Sequence, residues 1–366
     1  KKSERPSTMK IAYVHPDAEG REEEVAQNRY PRNQLWGADL LKEQGHDVYT
    51  IKTRSQHWTT WLGRLLNKLT KNRLCDFHIE FQILRQSKNT DLIYAPSGHL
   101  FIIPLLRRLG FLKPKLVTWF FRLPKSSSWW KLRNLRFSRY VLNGFDGILC
   151  LTKQAESDFQ QRTNDVLVKY QAWFADPEIF MKDKERPPQD TGYFLSVGKT
   201  RRDYITLLKA CEKVNATFRI IAPRATAHET YIPQNVQFIE TSQNPPDAAI
   251  SYPELRDWYA NARAVVIPLI FDANDTSGYT NLLEAMTMGK PILMTYSGCL
   301  DIDVEKIGVG YIIPPENPEA WVKAIEDLLK NPERAKAMGD RGLEASQNQF
   351  SQEAFGTALN QFAQAV

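Results

Sequence analysis

Short apolar strands alternate with helical segments along almost the whole chain, and this alternation limits its fold more than any other feature. The predicted strands of the first half are residues 10–14, 47–51, 91–95, 115–119 and 147–151. Those of the second half are residues 193–197, 218–222, 236–239, 264–268 and 310–313. Helices are predicted at residues 31–44, 153–161, 204–214, 252–260 and 318–329. Such alternation predicts parallel sheets that are covered by helices on both faces.

A polar stretch with two adjacent prolines, residues 182–190, separates the two sets of strands. Its low hydrophobicity favours a linker, and 366 residues are enough for two domains. We therefore predict doubly wound domains at residues 9–180 and 191–347, a linker at 181–190, and a disordered polar leader at 1–8. Ligands of such sheets bind beyond the carboxyl ends of the strands, so two facing domains predict an interdomain cleft.

The composition excludes several classes of protein. A hydrophobic content of 42% with 25% charged residues is typical of a soluble globular protein. No apolar run reaches the roughly 18–20 residues that a membrane-spanning helix needs, and no secretory signal is visible. The four cysteines are widely spaced, without the spacing of metal ligands. This pattern favours a reducing cytoplasm as the location of the protein.

The net charge of +6 is distributed unevenly. No acidic residue lies between Asp47 and Asp76 or between Asp91 and Asp146, although both intervals contain several lysines and arginines. A field of one sign over half of the chain raises the local concentration of an anionic partner. No RNA- or DNA-binding motif accompanies the charge, so we do not expect a nucleic-acid partner.

Two tryptophan-containing stretches in these intervals are candidates for contact with a membrane. In residues 57–71, one side of a predicted helix combines apolar and interleaved basic residues: Trp58, Trp61, Leu62, Leu65 and Leu69, with Arg64, Lys68 and Lys71. In the second stretch, Trp129 and Trp130 precede further basic residues. Basic helices with tryptophan suit an anionic interface, but an apolar stripe is equally expected of a helix that faces the core. Peripheral attachment to the inner face of a membrane and ordinary core packing both stay open.

Residues 276–293 show a glycine turn, a short helix that a second glycine ends, and an apolar strand. Ser277, Gly278 and Thr280 would present backbone N–H groups and a hydroxyl at the helix start. Unpaired amides and the positive end of the helix dipole bind anions there. Glu284, one turn later, could accept hydrogen bonds from sugar hydroxyls. The alternative is an ordinary helix with a surface glutamate.

This segment resembles the donor-binding motif of GT-B glycosyltransferases of the glycosyltransferase family 4 type (glycosyltransferase group 1), in which two acidic residues flank a glycine turn before "EAMAxGxP". Residues 284–291 match that ending, and Glu284 matches the second acid, which binds the ribose of the nucleotide in the family. The first acid, which contacts the transferred sugar in the family, falls at Ser277; Asp272 or Asp275 could replace it. Weaker matches follow the family's order at residues 145–152, 168–180, 291–318 and 351–366.

The resemblance implies a GT-B fold, in which the N-terminal domain binds the acceptor, the C-terminal domain binds the nucleotide sugar, and residues 348–366 return to the first domain. It implies a hexosyltransferase of carbohydrate biosynthesis that retains the anomeric configuration and needs no metal or cofactor. A UDP-sugar is the expected donor, with GDP- and ADP-sugars as alternatives. The donor-binding residues by this match are Lys199, Arg202, Ser277, Gly278, Tyr279, Thr280, Asn281 and Glu284.

In this scheme two cations and a helix N-terminus neutralise a leaving diphosphate without a metal. Solvated loop charges are the alternative interpretation of Lys199 and Arg202. Asp301 and Asp303 invite a magnesium site, but their place in a turn favours a loop role.

The acceptor side carries weaker signals. The loop of residues 15–33 corresponds to the family's glycine-rich loop, with Gly20 and Asn33 as its candidate residues. His99 could exchange a proton with an acceptor hydroxyl, and Arg122 could meet an anionic acceptor or the donor phosphate. The alternatives are a polar loop histidine and a scaffold salt bridge. The expected acceptor is a hydroxyl compound, such as a lipid or a cell-envelope glycan intermediate. A nucleotide-sugar epimerase of the same fold and a non-catalytic sugar- or nucleotide-binding protein are the competing functions.

Overall fold

A computed structural model describes residues 8–53, 57–71, 75–96, 100–121, 135–181, 192–227, 230–241, 250–272 and 275–366. The described strands are β1 (Lys10–Tyr13), β2 (Asp47–Thr50), β3 (Leu92–Ala95), β4 (Lys115–Phe120), β5 (Gly147–Cys150), β6 (Leu167–Tyr170), β7 (Tyr193–Val197), β8 (Thr217–Ala222), β9 (Val236–Glu240), β10 (Ala262–Ile267), β11 (Ile292–Thr295) and β12 (Gly310–Ile313).

The described α-helices connect these strands or follow the last of them. They are α1 (Arg21–Ala26), α2 (Ala38–Glu43), α3 (Trp58–Thr70), α4 (Phe77–Gln86), α5 (Ile102–Arg108), α6 (Leu135–Leu142), α7 (Lys153–Gln160), α8 (Pro177–Phe180), α9 (Tyr204–Cys211), α10 (Tyr252–Ala260), α11 (Tyr279–Thr287), α12 (Val304–Ile307), α13 (Pro318–Lys330), α14 (Pro332–Asn348) and α15 (Gln352–Ala365). None of them, within the described ranges, is both long and apolar enough to cross a membrane.

The first sheet has the strand order β2-β1-β3-β4-β5-β6, and all neighbouring strands run parallel. Every residue of β3 and β5 is buried, as expected of apolar strands with helices on both faces. The core of this sheet includes Ile93, Leu116 and Ile148 from its central strands. The strand order reverses between β1 and β3.

The second sheet has the order β12-β11-β10-β7-β8-β9 and is also parallel throughout. From β7 the chain adds β8 and β9 on one side, and β10 to β12 on the other. The order therefore reverses between β7 and β10, which is the position where doubly wound sheets form a ligand crevice at the carboxyl ends of their strands. The two sheets confirm the predicted doubly wound, parallel α/β architecture.

The chain divides into two compact units. The first contains residues up to 27, 34–172 and 355–366, and the second contains 28–33 and 173–354. The second unit begins at Trp173, upstream of the predicted linker, because the ring of Phe180 contacts those of Tyr252 and Tyr259 on α10. Nearly all of the predicted leader and linker lies outside the described residues.

Helix α15 packs in the first unit, although it follows the second unit in the sequence. The ring of Phe355 stacks on Trp119 of β4 at a centroid distance of 6.0 Å. A Cβ atom on Gly37 would lie 2.5 Å from Leu359 Cδ2, so the last helix packs closely against the start of α2. The carboxyl-terminal segment therefore completes the core of the first unit.

Helix α14 packs against the α11 region through two glycines. A Cβ atom on Gly339 would lie 2.1 Å from the carbonyl oxygen of Gly289, which follows α11. One on Gly342 would lie 3.3 Å from Met286 Cα. The first distance is too short for any side chain to fit without moving the backbone, whereas the second demands a small adjustment.

We expect Gly339→Ala to destabilise the second unit, although alanine normally favours a helix over glycine by about 1 kcal/mol. The new methyl group would meet a backbone carbonyl, and overpacking of this kind costs about 1–3 kcal/mol. Denaturant unfolding would measure the loss, with Gly342→Ala as the matched control in the same helix. A midpoint of Gly339→Ala equal to or above that of the unaltered protein would contradict the packing described here.

Candidate functional site

The crevice between β7 and β10 brings together two loops that are far apart in the sequence. Residues 198–203 follow β7, and residues 268–278 follow β10. The backbone N–H of Asp203 donates to the carbonyl oxygen of Pro268 at 3.1 Å, and the loops form a short antiparallel bridge. The residues that the sequence assigns to donor binding lie on these two loops or on α11, which starts directly after the second loop.

Helix α11 begins directly after the glycine turn. Gly278 has φ 85° and provides no side-chain cap to the first turn of the helix. A Cβ atom on Gly278 would also lie 2.9 Å from Ile267 Cγ2, so both the backbone angle and the packing require glycine. The backbone N–H of Tyr279 donates to the carbonyl oxygen of Thr276 at 3.3 Å, so the amides of Thr280 and Asn281, the next two of the first turn, are the candidates for binding an anion. Ser277 and Thr280 are half-buried beside this turn.

Arg202 is turned into the protein and is only 6% exposed. Its guanidinium donates to the carbonyl oxygens of Thr200 at 2.8 Å and Val197 at 3.2 Å, and to the side-chain oxygen of Asn281. Burial lowers the pKa of Arg202. A Cβ atom on Gly198 would lie 2.4 Å from the guanidinium, so glycine at this position makes room for the arginine.

Two more cations stand on the same loop. Lys199 is exposed at the surface. Arg201, which the sequence analysis did not select, pairs with Asp275 at 2.9 Å and with Asp272 at 3.5 Å. These are the two carboxylates that could replace the missing first acid, and in this structure both face Arg201.

A buried hydrogen-bond network joins Arg202 to Glu284 through Asn281. The Asn281 amide nitrogen donates to the hydroxyl of Tyr259 at 3.1 Å and to Glu284 Oε2 at 3.3 Å. The Tyr259 hydroxyl donates to the same carboxylate oxygen at 2.7 Å. Tyr259, on α10, is a member of this site that the sequence analysis missed.

Glu284 is 3% exposed rather than a surface residue. Burial raises the pKa of Glu284 to about 7, against the opposing effects of the Tyr259 and Asn281 hydrogen bonds and the nearby Arg202 charge. Burial and the neighbouring Glu284 raise the pKa of Tyr259 well above its ordinary range. Within the described residues, the Glu284 carboxylate accepts two hydrogen bonds, and Oε2 accepts both of them. The other oxygen, Oε1, is the acceptor that a ligand hydroxyl could use.

Tyr279 has a packing role within the second unit. Its ring is buried, and its hydroxyl accepts a hydrogen bond from the backbone N–H of Trp173 at 3.3 Å. This contact links the start of α11 to the segment that opens the unit. Among the predicted donor residues, Tyr279 therefore has a structural role.

An exposed aromatic pair stands at the carboxyl ends of β10 and β11. The rings of Phe271 and Tyr296 stack at a centroid distance of 5.9 Å and an angle of 15°, and both are half-exposed, as is Ile270. None of these residues is among the predicted donor-binding residues. The signal was available, since each follows a predicted strand at its ligand-binding end.

The predicted acceptor-side residues fall into different places. Gly20 is exposed with φ 90° at the start of α1. Asn33 is buried in the second unit, where its amide donates to the carbonyl oxygen of Phe174 at 3.0 Å. His99 and Arg122, the candidate catalytic residues, lie outside the described residues.

A histidine that the sequence analysis did not select follows β1 in the first unit. His15 Nδ1 accepts from the backbone N–H of Asp17 at 3.2 Å, and the imidazole lies 5.9 Å from the ring of Trp36. Burial lowers the pKa of His15, so the neutral ring is favoured near pH 7. Its place at the end of β1, beside the reversal of strand order, could have been read from the sequence.

The described residues contain no group of three or more metal-ligating side chains that could hold an ion. The Asp303 carboxylate instead caps helix α12, since it accepts from the backbone N–H groups of Glu305 at 3.2 Å and Lys306 at 3.0 Å. This geometry agrees with the loop role that its position in a turn favours.

Comparison with known proteins finds a family model that matches most of the second unit. Residues 178–345 match the family model described as Glycosyl transferases group 1. A D-inositol 3-phosphate glycosyltransferase of Paenarthrobacter aurescens (strain TC1) is 30% identical over 98 residues. That match covers 27% of this chain and only 22% of the relative's length.

Solved structures resemble the chain over nearly its whole length. A sucrose-phosphate synthase from Thermosynechococcus elongatus has a TM-score of 0.65 at 17% identity, over 97% of this chain and 98% of that one. Anabaena Alr3699/HepE, in complex with UDP and glucose, has a TM-score of 0.61 at 13% identity, over 98% and 100%. The chain thus has the GT-B fold, and its residues 178–345 are similar to the Glycosyl transferases group 1 family.

Proposed function

We propose that this protein transfers a sugar from a nucleotide-sugar donor to a hydroxyl acceptor. The observation that carries the proposal is the meeting of a cationic loop and an uncapped helix start at the crevice between β7 and β10. The Glycosyl transferases group 1 domain covers these elements, and the GT-B fold of the whole chain supports the same function.

The donor diphosphate would lie at the start of α11, beside Lys199 and Arg202. In the reaction, the bond from the anomeric carbon to the diphosphate oxygen breaks, and a bond from that carbon to the acceptor oxygen forms. The nucleoside diphosphate leaves with the bonding electrons and takes up the proton that the acceptor hydroxyl loses. Fixed cations and helix amides stabilise the developing negative charge without reorganising, which is how such groups lower a barrier. On this proposal the transfer is metal-independent and retains the anomeric configuration.

Glu284 would bind the ribose through Oε1, the oxygen that the buried network leaves available. A UDP-sugar is the proposed donor, since the structurally similar Anabaena protein was solved with UDP and glucose; GDP- and ADP-sugars are the alternatives. Ser277 stands where relatives of the glycosyltransferase family 4 type have an acid. In place of a contact with that acid, the transferred sugar would contact Phe271 and Tyr296, whose exposed ring faces can stack on a sugar ring.

The acceptor would bind to the first unit, with Gly20 on the acceptor side and His99 and Arg122 as candidate catalytic residues. Asn33 is not part of this proposal, since it is buried in the second unit. We propose a lipid or a glycan intermediate as its chemical class. The long acid-free intervals of the first unit suit an anionic partner. The proposal therefore includes an anionic membrane surface and peripheral attachment at the cytoplasmic face.

Turnover of UDP-glucose with a panel of hydroxyl acceptors tests the transfer itself. We expect release of UDP that depends on an added acceptor, together with a glycosylated product. Acceptor-independent release of free sugar would identify an epimerase instead. Tight UDP binding without any turnover would identify a non-catalytic binding protein.

We expect Lys199→Ala and Glu284→Ala each to weaken UDP binding by about 1–3 kcal/mol, the scale of losing a hydrogen-bonding partner of a charged group. Calorimetric titration would measure both losses. Lys209→Ala on α9 and Glu254→Ala on α10 remove exposed charges of the same kinds elsewhere in the second unit, and serve as matched controls. Unchanged affinity in both site variants, with circular dichroism showing intact folding, would remove these residues from the site.

The raised pKa of Glu284 predicts a pH dependence of nucleotide binding. Near pH 6 the carboxyl group is mostly neutral and resembles glutamine, whereas near pH 8 it is mostly ionised and is the stronger acceptor for ribose hydroxyls. The quantity to measure is the dissociation constant of UDP for Glu284→Gln divided by that for the unaltered protein. This ratio should rise about three- to tenfold from pH 6 to pH 8.

This ratio cancels the titration of the UDP phosphates, which is common to both proteins. Glu254→Gln, at an exposed position, should give a ratio near one at both pH values. A ratio for Glu284→Gln that stays constant with pH would show that the Glu284 carboxylate does not contact the nucleotide.

A further inference from the structure

We infer that helix α3 is a docking surface for an anionic lipid bilayer and lies flat in the membrane interface. A membrane contact is part of the proposed function, and α3 is the surface that would make it. Because α3 lies apart from the donor site in the sequence, membrane binding and donor binding can fail separately in an experiment.

The orientation of α3 is the reverse of an ordinary amphipathic helix of a folded domain. Its largest apolar side chains face solvent: Trp58 is 66% exposed, Trp61 68% and Leu69 70%. The residues that it buries are Thr60 and Gly63. Of the two interpretations that the sequence left open for this helix, the structure excludes the core-facing one, since exposed tryptophans do not belong to a core.

Polar contacts with α4 hold this orientation in place. The Asn67 amide donates to Asp76 Oδ1 at 2.8 Å and accepts from the backbone N–H of Phe77 at 2.9 Å. The Thr60 hydroxyl accepts from Gln82 at 2.9 Å. A Cβ atom on Gly63 would lie 2.5 Å from the backbone of α4. The inner face of α3 is thus made of small and polar residues, Leu62 and Leu66 are half-buried beside it, and the two tryptophans and Leu69 are left outside.

The outward apolar residues form one continuous stripe. At 100° per residue, Trp58, Trp61, Leu65 and Leu69 fall within an arc of about 80°. Arg64 and Lys68 border this stripe on the Trp61 side, and both are exposed. The helix contains no acidic residue.

This combination fits the boundary between lipid headgroups and acyl chains. Tryptophan prefers that boundary, leucine enters the acyl region, and arginine and lysine reach back to anionic headgroups along their apolar stems. A second copy of the chain is a poorer partner, because a symmetric contact would bring the same cations of both copies together. Charge complementarity therefore favours an anionic bilayer.

Co-sedimentation with vesicles tests the inference. We expect the full chain at low salt to bind vesicles of equal parts phosphatidylglycerol and phosphatidylcholine, and to bind pure phosphatidylcholine vesicles more weakly. Added salt should weaken the first interaction, since screening reduces the attraction between cations and headgroups. Failure to bind the anionic vesicles at low salt would overturn the inference, and so would equal binding to both vesicle types.

Variants of the stripe locate the surface. The double variant Trp58→Ala/Trp61→Ala should lose vesicle affinity about tenfold or more, given the apolar area removed, and Arg64→Glu/Lys68→Glu should lose it selectively for anionic vesicles. Phe111→Ala removes an equally exposed aromatic residue of the first unit, and should bind as the unaltered protein does. Leu69→Ser provides a second test at a single, highly exposed position.

UDP titration of the same variants separates this inference from the proposed function. Unchanged UDP affinity with lost vesicle binding is the expected result. Unaltered vesicle binding by both double variants would overturn the inference. An association between protein molecules that Trp58→Ala/Trp61→Ala abolishes, without any vesicle binding, would assign the stripe to a second copy of the chain and would overturn it too.

Discussion

The buried contact between Arg202 and Asn281 is the interaction on which the candidate site depends. A guanidinium removed from water keeps its charge only where polar groups replace the solvent. Arg202 finds them in the carbonyl groups of Thr200 and Val197 and in the side chain of Asn281. Because the Asn281 amide continues to Tyr259 and Glu284, one buried charge fixes the loop after β7, the start of α11 and the carboxylate together. Gly198 allows this, since a larger residue would occupy the space of the guanidinium.

The architecture and the position of the site follow from the sequence, for a physical reason. Apolar strands separated by helices have few ways to bury both faces other than a parallel sheet. In such a sheet the loops after the strands gather at one edge, so Lys199, Arg202 and the glycine turn before α11 were expected near one another. The reversal of strand order between β7 and β10 then selects the crevice. These inferences need only local patterns and general rules of topology.

Side-chain directions could not be predicted in the same way, because they depend on contacts between distant segments. Arg201 and Arg202 are adjacent, yet Arg202 is buried, whereas Arg201, at φ 51°, pairs with Asp275. The burial of Glu284 depends on Tyr259, which belongs to another helix and carries no motif. Asn33 comes from the first half of the sequence but packs in the second unit, where it donates to the Phe174 carbonyl. Helical periodicity likewise predicts an apolar stripe on α3, but it does not predict whether that stripe faces solvent or the core.

The orientation of α3 links the fold to the choice of acceptor. The helix belongs to the first unit, and the loops proposed to bind the donor belong to the second, so the two proposed contacts use separate parts of the chain. An acceptor embedded in a bilayer has to be met at the lipid surface, whereas a soluble acceptor does not. If α3 serves to bring the enzyme to a lipid acceptor, loss of Trp58 and Trp61 raises the KM for that acceptor in vesicles and leaves turnover of a soluble analogue unchanged. A purely structural role for the two tryptophans would instead slow the reaction with the lipid acceptor and with the soluble analogue together.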